Sequence, residues 1–197
     1  MKKKGGKVML QPRPRNEEIT LDSKQIIISK TDDRGVITYA NDYFSEVCGY
    51  KNHELMNKPH NIVRHPDMPK IAFKLMWDRI SEGKNFKAVV KNLAKDGRYY
   101  WVITDFEPNY DHATGKITEH TAYRMPAPKK AVEIMEPIYT KLLEIEKEKG
   151  MEASLEYLKG FLAANNTTYD EFVEKLYESG GIRTKIYQTL KKLFSHK

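Results

Sequence analysis

Three alternating runs follow one another in this chain with little more than a turn between them, and no other stretch restricts the fold as tightly. Asn85 to Leu93 alternates, Lys95-Asp96-Gly97 reverses the direction, Arg98 to Glu107 alternates again, and Asp111 to Gly115 leads into Ile117 through Met125. Alternation with period two puts successive side chains on opposite faces of a sheet, and Gly-containing polar turns join neighbouring strands antiparallel. Two shorter runs precede them: Gln25-Ile26-Ile27-Ile28-Ser29-Lys30 and Val36-Ile37-Thr38-Tyr39-Ala40 flank the turn Thr31-Asp32-Asp33-Arg34-Gly35. They read as a hairpin.

Between the hairpin and the three-strand run the period changes to that of helices. Asn41 or Asp42 can cap a short helix over Tyr43 to Val47 that Cys48-Gly49 stops, and Lys51 to Met56 reads as one or two further turns. Pro69 opens a longer helix that runs to about Gly83, with Ala72, Leu75, Met76 and Ile80 at helical spacing. The expected fold is therefore α+β, a five-stranded antiparallel sheet with short helices inserted between its second and third strands. Pro126 and Pro128 punctuate its end. Residues 129–149, 152–164, 169–179 and 183–194 then have helical periodicity, so residues 1–15 read as a basic disordered tail, 16–126 as the sheet domain and 127–197 as a helical extension.

The net charge of +7 would suggest nucleic acid if it were spread over a folded face. It is not. Residues 1–15 and 183–197 hold 11 of the 34 basic residues and none of the 27 acidic ones, which leaves 23 bases against 27 acids in the body. No nucleic-acid partner is expected. The single cysteine, Cys48, excludes an intramolecular disulfide and any cysteine-cluster metal site. No apolar run reaches the roughly 20 residues that span a bilayer, and no signal-peptide pattern follows the basic start, so a cytoplasmic protein is expected.

The segment His60-Asn61-Ile62-Val63-Arg64-His65-Pro66-Asp67-Met68-Pro69 carries more polar density than a small fold explains. A guanidinium gives paired, charge-assisted hydrogen bonds to phosphate, so Arg64, with His65 beside it, suits a phosphate group, and Asp67 suits a hydroxyl or the orientation of Arg64. Blander roles stand beside these. Arg64 and Asp67 could form an ion pair that fixes the loop, Asp67 could cap the next helix, and Trp77 could be core. On the third strand, Phe86, Ala88, Val90 and Asn92 share one face and Lys87, Val89, Lys91 and Leu93 the other, so Asn92 should point inward among apolar neighbours. A buried amide needs partners, whether backbone groups near the strand end or a ligand.

Ala40-Asn41-Asp42, Pro59-His60-Asn61 to Met68-Pro69-Lys70, Met76-Trp77, Val90-Lys91-Asn92 and Tyr99-Tyr100-Trp101-Val102 resemble the flavin-binding PAS domain of aerotaxis receptors, over roughly residues 16–125. The resemblance implies a PAS fold and a non-covalent FAD whose redox state is sensed without turnover. It carries Asn41, Arg64, His65, Asp67, Trp77, Asn92 and Tyr100 onto cofactor-linked positions. Phe86 stands where related domains often place a Trp, which keeps an aromatic wall and loses the indole donor. A full-length aerotaxis receptor continues into a membrane anchor and a long coiled coil, and this chain has neither. A two-protein arrangement is therefore expected, with a membrane-bound methyl-accepting chemotaxis-type transducer or its HAMP-like region as partner, and with room for a homodimer.

Two docking surfaces suggest themselves. Val89 and Leu93, joined by Val102 or Ile103, would form an apolar sheet face, and Ile182, Ile186, Leu190, Leu193 and Phe194 form a stripe flanked by Lys185, Lys191 and Lys192. The second pattern suits a partner groove or peripheral contact of residues 182–197 with the inner membrane, or packing against residues 129–180. Competing readings are a haem-binding PAS gas sensor, for which His53, His60, His65, His112 and His120 are candidate ligands, and a cofactor-free PAS interaction module. Photoadduct chemistry would need a cysteine in the helix facing the flavin, and Cys48 lies in an earlier one. With no Gly-rich phosphate loop and no nucleophile beside a base, catalysis is not expected.

Overall fold

The computed structural model describes residues 12–178. The hairpin forms from β1 (Ile27–Asp32) and β2 (Ile37–Ala40), and the three-strand run from β3 (Phe86–Leu93), β4 (Tyr99–Tyr110) and β5 (Ile117–Pro126). All five make one antiparallel sheet in the order β2-β1-β5-β4-β3. The hairpin β1–β2 and the pair β3–β4 lie on opposite sides of β5. The hairpin must therefore cross the sheet to reach β3, and the residues between, 41–85, wrap one face.

That wrap consists of α1 (Asp42–Cys48), α2 (Asn52–Leu55), a 3-10 turn over His60–Val63 and α3 (Lys70–Ser81). Asn41 sets where it begins. Its side-chain oxygen accepts from the N–H of Phe44 at 3.1 Å and of Ile28 at 3.0 Å, and its amide donates to the carbonyl of Ile26 at 2.8 Å. One side chain thus caps α1 and fastens it to β1. Gly49, at φ 71°, ends the helix in the left-handed conformation that Gly adopts without strain.

The opposite face is covered by α4 (Lys129–Lys149), α5 (Met151–Ala164) and α6 (Tyr169–Glu178). Tyr139 of α4 stacks on Trp101 of β4 at 6.5 Å and donates to the carbonyl of Val89 at 2.7 Å, while Lys87 of β3 reaches Glu174 of α6 at 2.6 Å. The apolar sheet face expected as a docking surface is therefore not free: Val89 and Leu93, joined by Ile103 and not by Val102, are all buried. An amphipathic stripe on α4 meets that face before any partner can. The stripe over 182–194 lies outside the described residues. Among those described, no helix is long and apolar enough to cross a membrane.

Candidate functional site

Residues paired across a sheet share a face, so the registers locate the inner side without further assumption. Asn92 faces Tyr100, Val90 faces Val102, Phe106 lies opposite both Phe86 and Ala122, and His120 lies opposite both Pro108 and Thr31. Over part of this face, beneath α3, lies a cavity of about 190 Å³. Phe73, Met76, Trp77 and Ile80 form its roof, Val90, Asn92, Phe106, His120, Ala122 and Arg124 its floor, and His60, Asn61 and Arg64 one wall. Ser29, Thr31, Arg34, Gly35 and Pro59 complete it.

The polar segment at 60–69 runs along the outer edge of β3. Arg64 bridges Asn92 through the backbone, and the Sδ of Met68 accepts from the N–H of Lys91 at 3.3 Å. This docking divides the segment's side chains. Arg64 turns into the cavity, its guanidinium 3.7 Å above the ring of Phe73 with Nε lacking a hydrogen-bond partner among the described residues. Burial lowers its pKa, yet a guanidinium stays charged at any physiological pH. His65 turns away. Its ring is buried against Tyr99, Nδ1 accepts from the N–H of Asp67 at 3.1 Å, and burial lowers its pKa to about 4 against the opposing pull of Asp67. Asp67 points outward, where Lys91 donates to it at 2.8 Å.

Of the residues singled out from the sequence, Arg64, Trp77 and Asn92 therefore line one cavity, and Asn41, His65, Asp67, Phe86 and Tyr100 do not. Asn41 is a helix cap, and the expected Arg64–Asp67 pair is replaced by Lys91–Asp67. Asp67 does not cap α3 either. Phe86 stacks on Tyr169 of α6 at 5.1 Å, at the rim of the sheet. Tyr100 stands beside Asn92, wholly buried, and its hydroxyl has no hydrogen-bond partner among the described residues. Cys48, fully buried in α1 with its thiol pushed up to about 11, is not a cavity residue.

Among the other polar residues of the cavity, Arg124 was missed, and His60 and His120 were read only as candidate haem ligands. Arg124 is buried, donating to the Ser29 hydroxyl at 2.9 Å and to His60 Nε2 at 3.0 Å. Since Arg can only donate, Nε2 of His60 is an acceptor and its proton sits on Nδ1. Burial and the Arg124 charge hold that imidazole neutral. His120 is the third. It is buried with its ring edge-on to Trp77 at 5.8 Å, and neither ring nitrogen has a hydrogen-bond partner among the described residues. The signal for Arg124 and His120 was the alternation of β5, which places His120, Ala122 and Arg124 on the face opposite Tyr123 and Met125.

The cavity combines aromatic walls with buried, unmatched hydrogen-bonding groups: the Nδ2 of Asn92, the Nε of Arg64 and both nitrogens of His120. Buried polar atoms are nearly always partnered in a stable fold, so four such atoms around one void mark a ligand site. Its lining includes three arginines and, among the described residues, no carboxylate. No group of three or more potential metal ligands occurs among the described residues.

Residues 37–121 match the family described as the PAS fold. They are a PAS domain. The chain is 39% identical to the aerotaxis receptor of Escherichia coli (strain K12) over 136 residues, which is 69% of this chain and 26% of the receptor. It is 30% identical to the nitrogen fixation regulatory protein of Klebsiella pneumoniae over 88 residues, 45% of this chain and 18% of that protein. The chain thus spans about a quarter of the aerotaxis receptor's length. Among solved structures, a light-oxygen-voltage domain studied with a flavin analogue covers 63% of this chain and 87% of its own at 19% identity and a TM-score of 0.49. The named relatives are a receptor and a regulator.

Proposed function

We propose that the PAS domain binds a flavin, FAD by its likeness to the aerotaxis receptor, and relays the redox state by protein contact to a chemotaxis-type transducer. One observation carries the reading: the unpartnered amide nitrogen of Asn92 in a cavity walled by Phe73, Trp77 and Phe106. At about 190 Å³ the cavity falls below the roughly 300–1,000 Å³ of pockets that bury a whole drug-sized ligand, so it suits the ring and leaves the adenosine end outside.

A bound flavin supplies an electron-accepting ring whose edge nitrogen is an acceptor when oxidised and a donor when reduced. Asn92 can answer both states, because its amide donates through nitrogen, accepts through oxygen and exchanges the two by a flip about its last torsion. Arg64 contributes positive charge at the same end, held in place by Phe73 beneath it. A flip at Asn92 acts on β3, whose neighbouring residue Lys91 contacts Asp67 at 2.8 Å and Glu136 of α4 at 3.5 Å. The path from cavity to outer helix is two residues long.

A specific observation favours a second reading, a haem sensor. Among the candidate histidines, His60 is engaged by Arg124, His65 lies outside the cavity, and His53 and His112 are not cavity residues. His120 alone faces the cavity with both nitrogens unpartnered. Aerobic purification, release of the chromophore by denaturation and its identification by mass separate the readings. FAD supports the proposal, haem replaces it, and a colourless protein that takes up neither makes the domain a cofactor-free interaction module. Asn92→Ala and Asn92→Asp are expected to lose FAD or to hold it without switching. A variant that holds FAD and switches as the wild type does removes Asn92 from the mechanism.

A further inference from the structure

The cavity has two polar ends. At one, Arg64 stacks on Phe73 and pairs through its backbone with Asn92; at the other, His120 stands edge-on to Trp77. Phe73 and Trp77 are one helical turn apart, about 6 Å along α3. The neighbours of His120 explain why its ring is unmatched. Pro108 across on β4 has no N–H, Thr31 across on β1 does not reach it, and Trp77 presents an aromatic surface. The same end holds the cavity's rim, where the side chain of Arg34 is 80% exposed and Gly35 lies against Trp77.

We propose that His120 binds the ribityl chain of the flavin, with the ring edge at Asn92 and the polyol leading past Gly35 toward the rim at Arg34. The inference rests on the flavin reading and assigns the second end of the same site. An imidazole offers two ring nitrogens to hydrogen bonding, and each hydroxyl of a polyol can both accept and donate. A ring edge at Asn92 turns its N-linked chain away from Asn92, and His120 is the unmatched polar group at the far end of the cavity. Arg34, although paired with Asp32, is solvent-facing and suited to a phosphate that follows the chain out, the role that the sequence suggested for Arg64.

The test compares riboflavin, which carries the chain, with lumiflavin, which has the same ring and a methyl in its place. Both are titrated into full-length wild type and His120→Phe, freed of any bound chromophore, with flavin fluorescence as the readout. The variant should bind riboflavin at least about tenfold more weakly and lumiflavin within twofold of wild type, one or two hydrogen bonds being lost. Its ligand-free thermal midpoint should equal or exceed that of wild type, since two unmatched buried nitrogens are gone. Unchanged riboflavin affinity, or equal weakening of both ligands, overturns the assignment and leaves the flavin reading standing. Wild type that binds neither ligand removes both. Should the variant fail to fold, the ring-nitrogen NMR shifts of His120 in wild type decide: movement with riboflavin alone supports the contact, and movement with both ligands or neither overturns it.

Discussion

The carboxylate of Glu146, near the end of α4, accepts from the backbone N–H of Ile71 at 2.7 Å and from that of its neighbour Lys70 at 2.9 Å. The first turn of α3 has no capping side chain of its own, Pro69 standing where one would be, so a residue 75 positions away supplies it. Glu146→Ala should cost about 1 kcal/mol, in the range of lost helix caps, and Glu146→Gln less. Urea unfolding of the three proteins measures this, with an unchanged m-value showing that only stability moved.

Asn41 and Asn92 should separate cleanly. Asn41 makes three hydrogen bonds that hold α1 to β1, and its replacement by Ala leaves buried backbone groups unmatched at a cost of about 3 kcal/mol, with flavin affinity changed only as far as the fold is weakened. Asn92→Ala removes an amide whose nitrogen has no partner among the described residues, so stability should move by less than about 1 kcal/mol while the flavin is lost. Thermal melts and flavin titrations on both variants give the comparison, and equal behaviour would show that the two residues do one job.

Gly35 takes φ 78°, and a Cβ placed on it would stand 2.8 Å from the indole of Trp77. Gly35→Ala should therefore push Trp77 toward the cavity as well as strain the turn, at about 1–2 kcal/mol. A shift in tryptophan emission together with weakened flavin binding is the expected result. Strain without either change would place Trp77 outside the ligand's reach.

Acid should weaken the fold through two imidazoles. His65 is lowered to about 4 and His60 well below the usual 6.5, so the unfolded chain binds protons that the folded one refuses. Their contribution is whole above about pH 6.5 and falls as the pH drops from there toward 4, by up to about 1.4 kcal/mol per pH unit for each. Urea midpoints between pH 7 and 4 should decline accordingly, and His65→Gln should flatten part of that slope.

The fold was readable because its signals were local. Alternation in 85–93 and 98–107, the Asp-Gly turn between them and the Gly49 stop each act over a few residues, and the strands and helices formed within two residues of their expected bounds except β4, which runs three residues further, to Tyr110. The inward face of β3 was legible for the same reason. What could not be read was which residues of a polar segment turn in. Arg64 and His65 are adjacent, and only the backbone bridge from Arg64 to Asn92 decides that one enters the cavity and the other packs on Tyr99. The free outer face was misjudged because strand periodicity says that a face is apolar and not what covers it; Tyr139 reaches Val89 from 50 positions along the chain.

The ammonium of Lys91 lies between Asp67 and Glu136 with the rings of Tyr99 and Trp101 at 4.5 and 5.6 Å, while the next side chain, Asn92, looks the other way into the cavity. Consecutive residues on a strand cannot rotate independently. Any roll of β3 about its own axis that re-aims the amide therefore drags a cation shared by a loop and a helix, like a lever whose short arm is in the dark and whose long arm is at the surface.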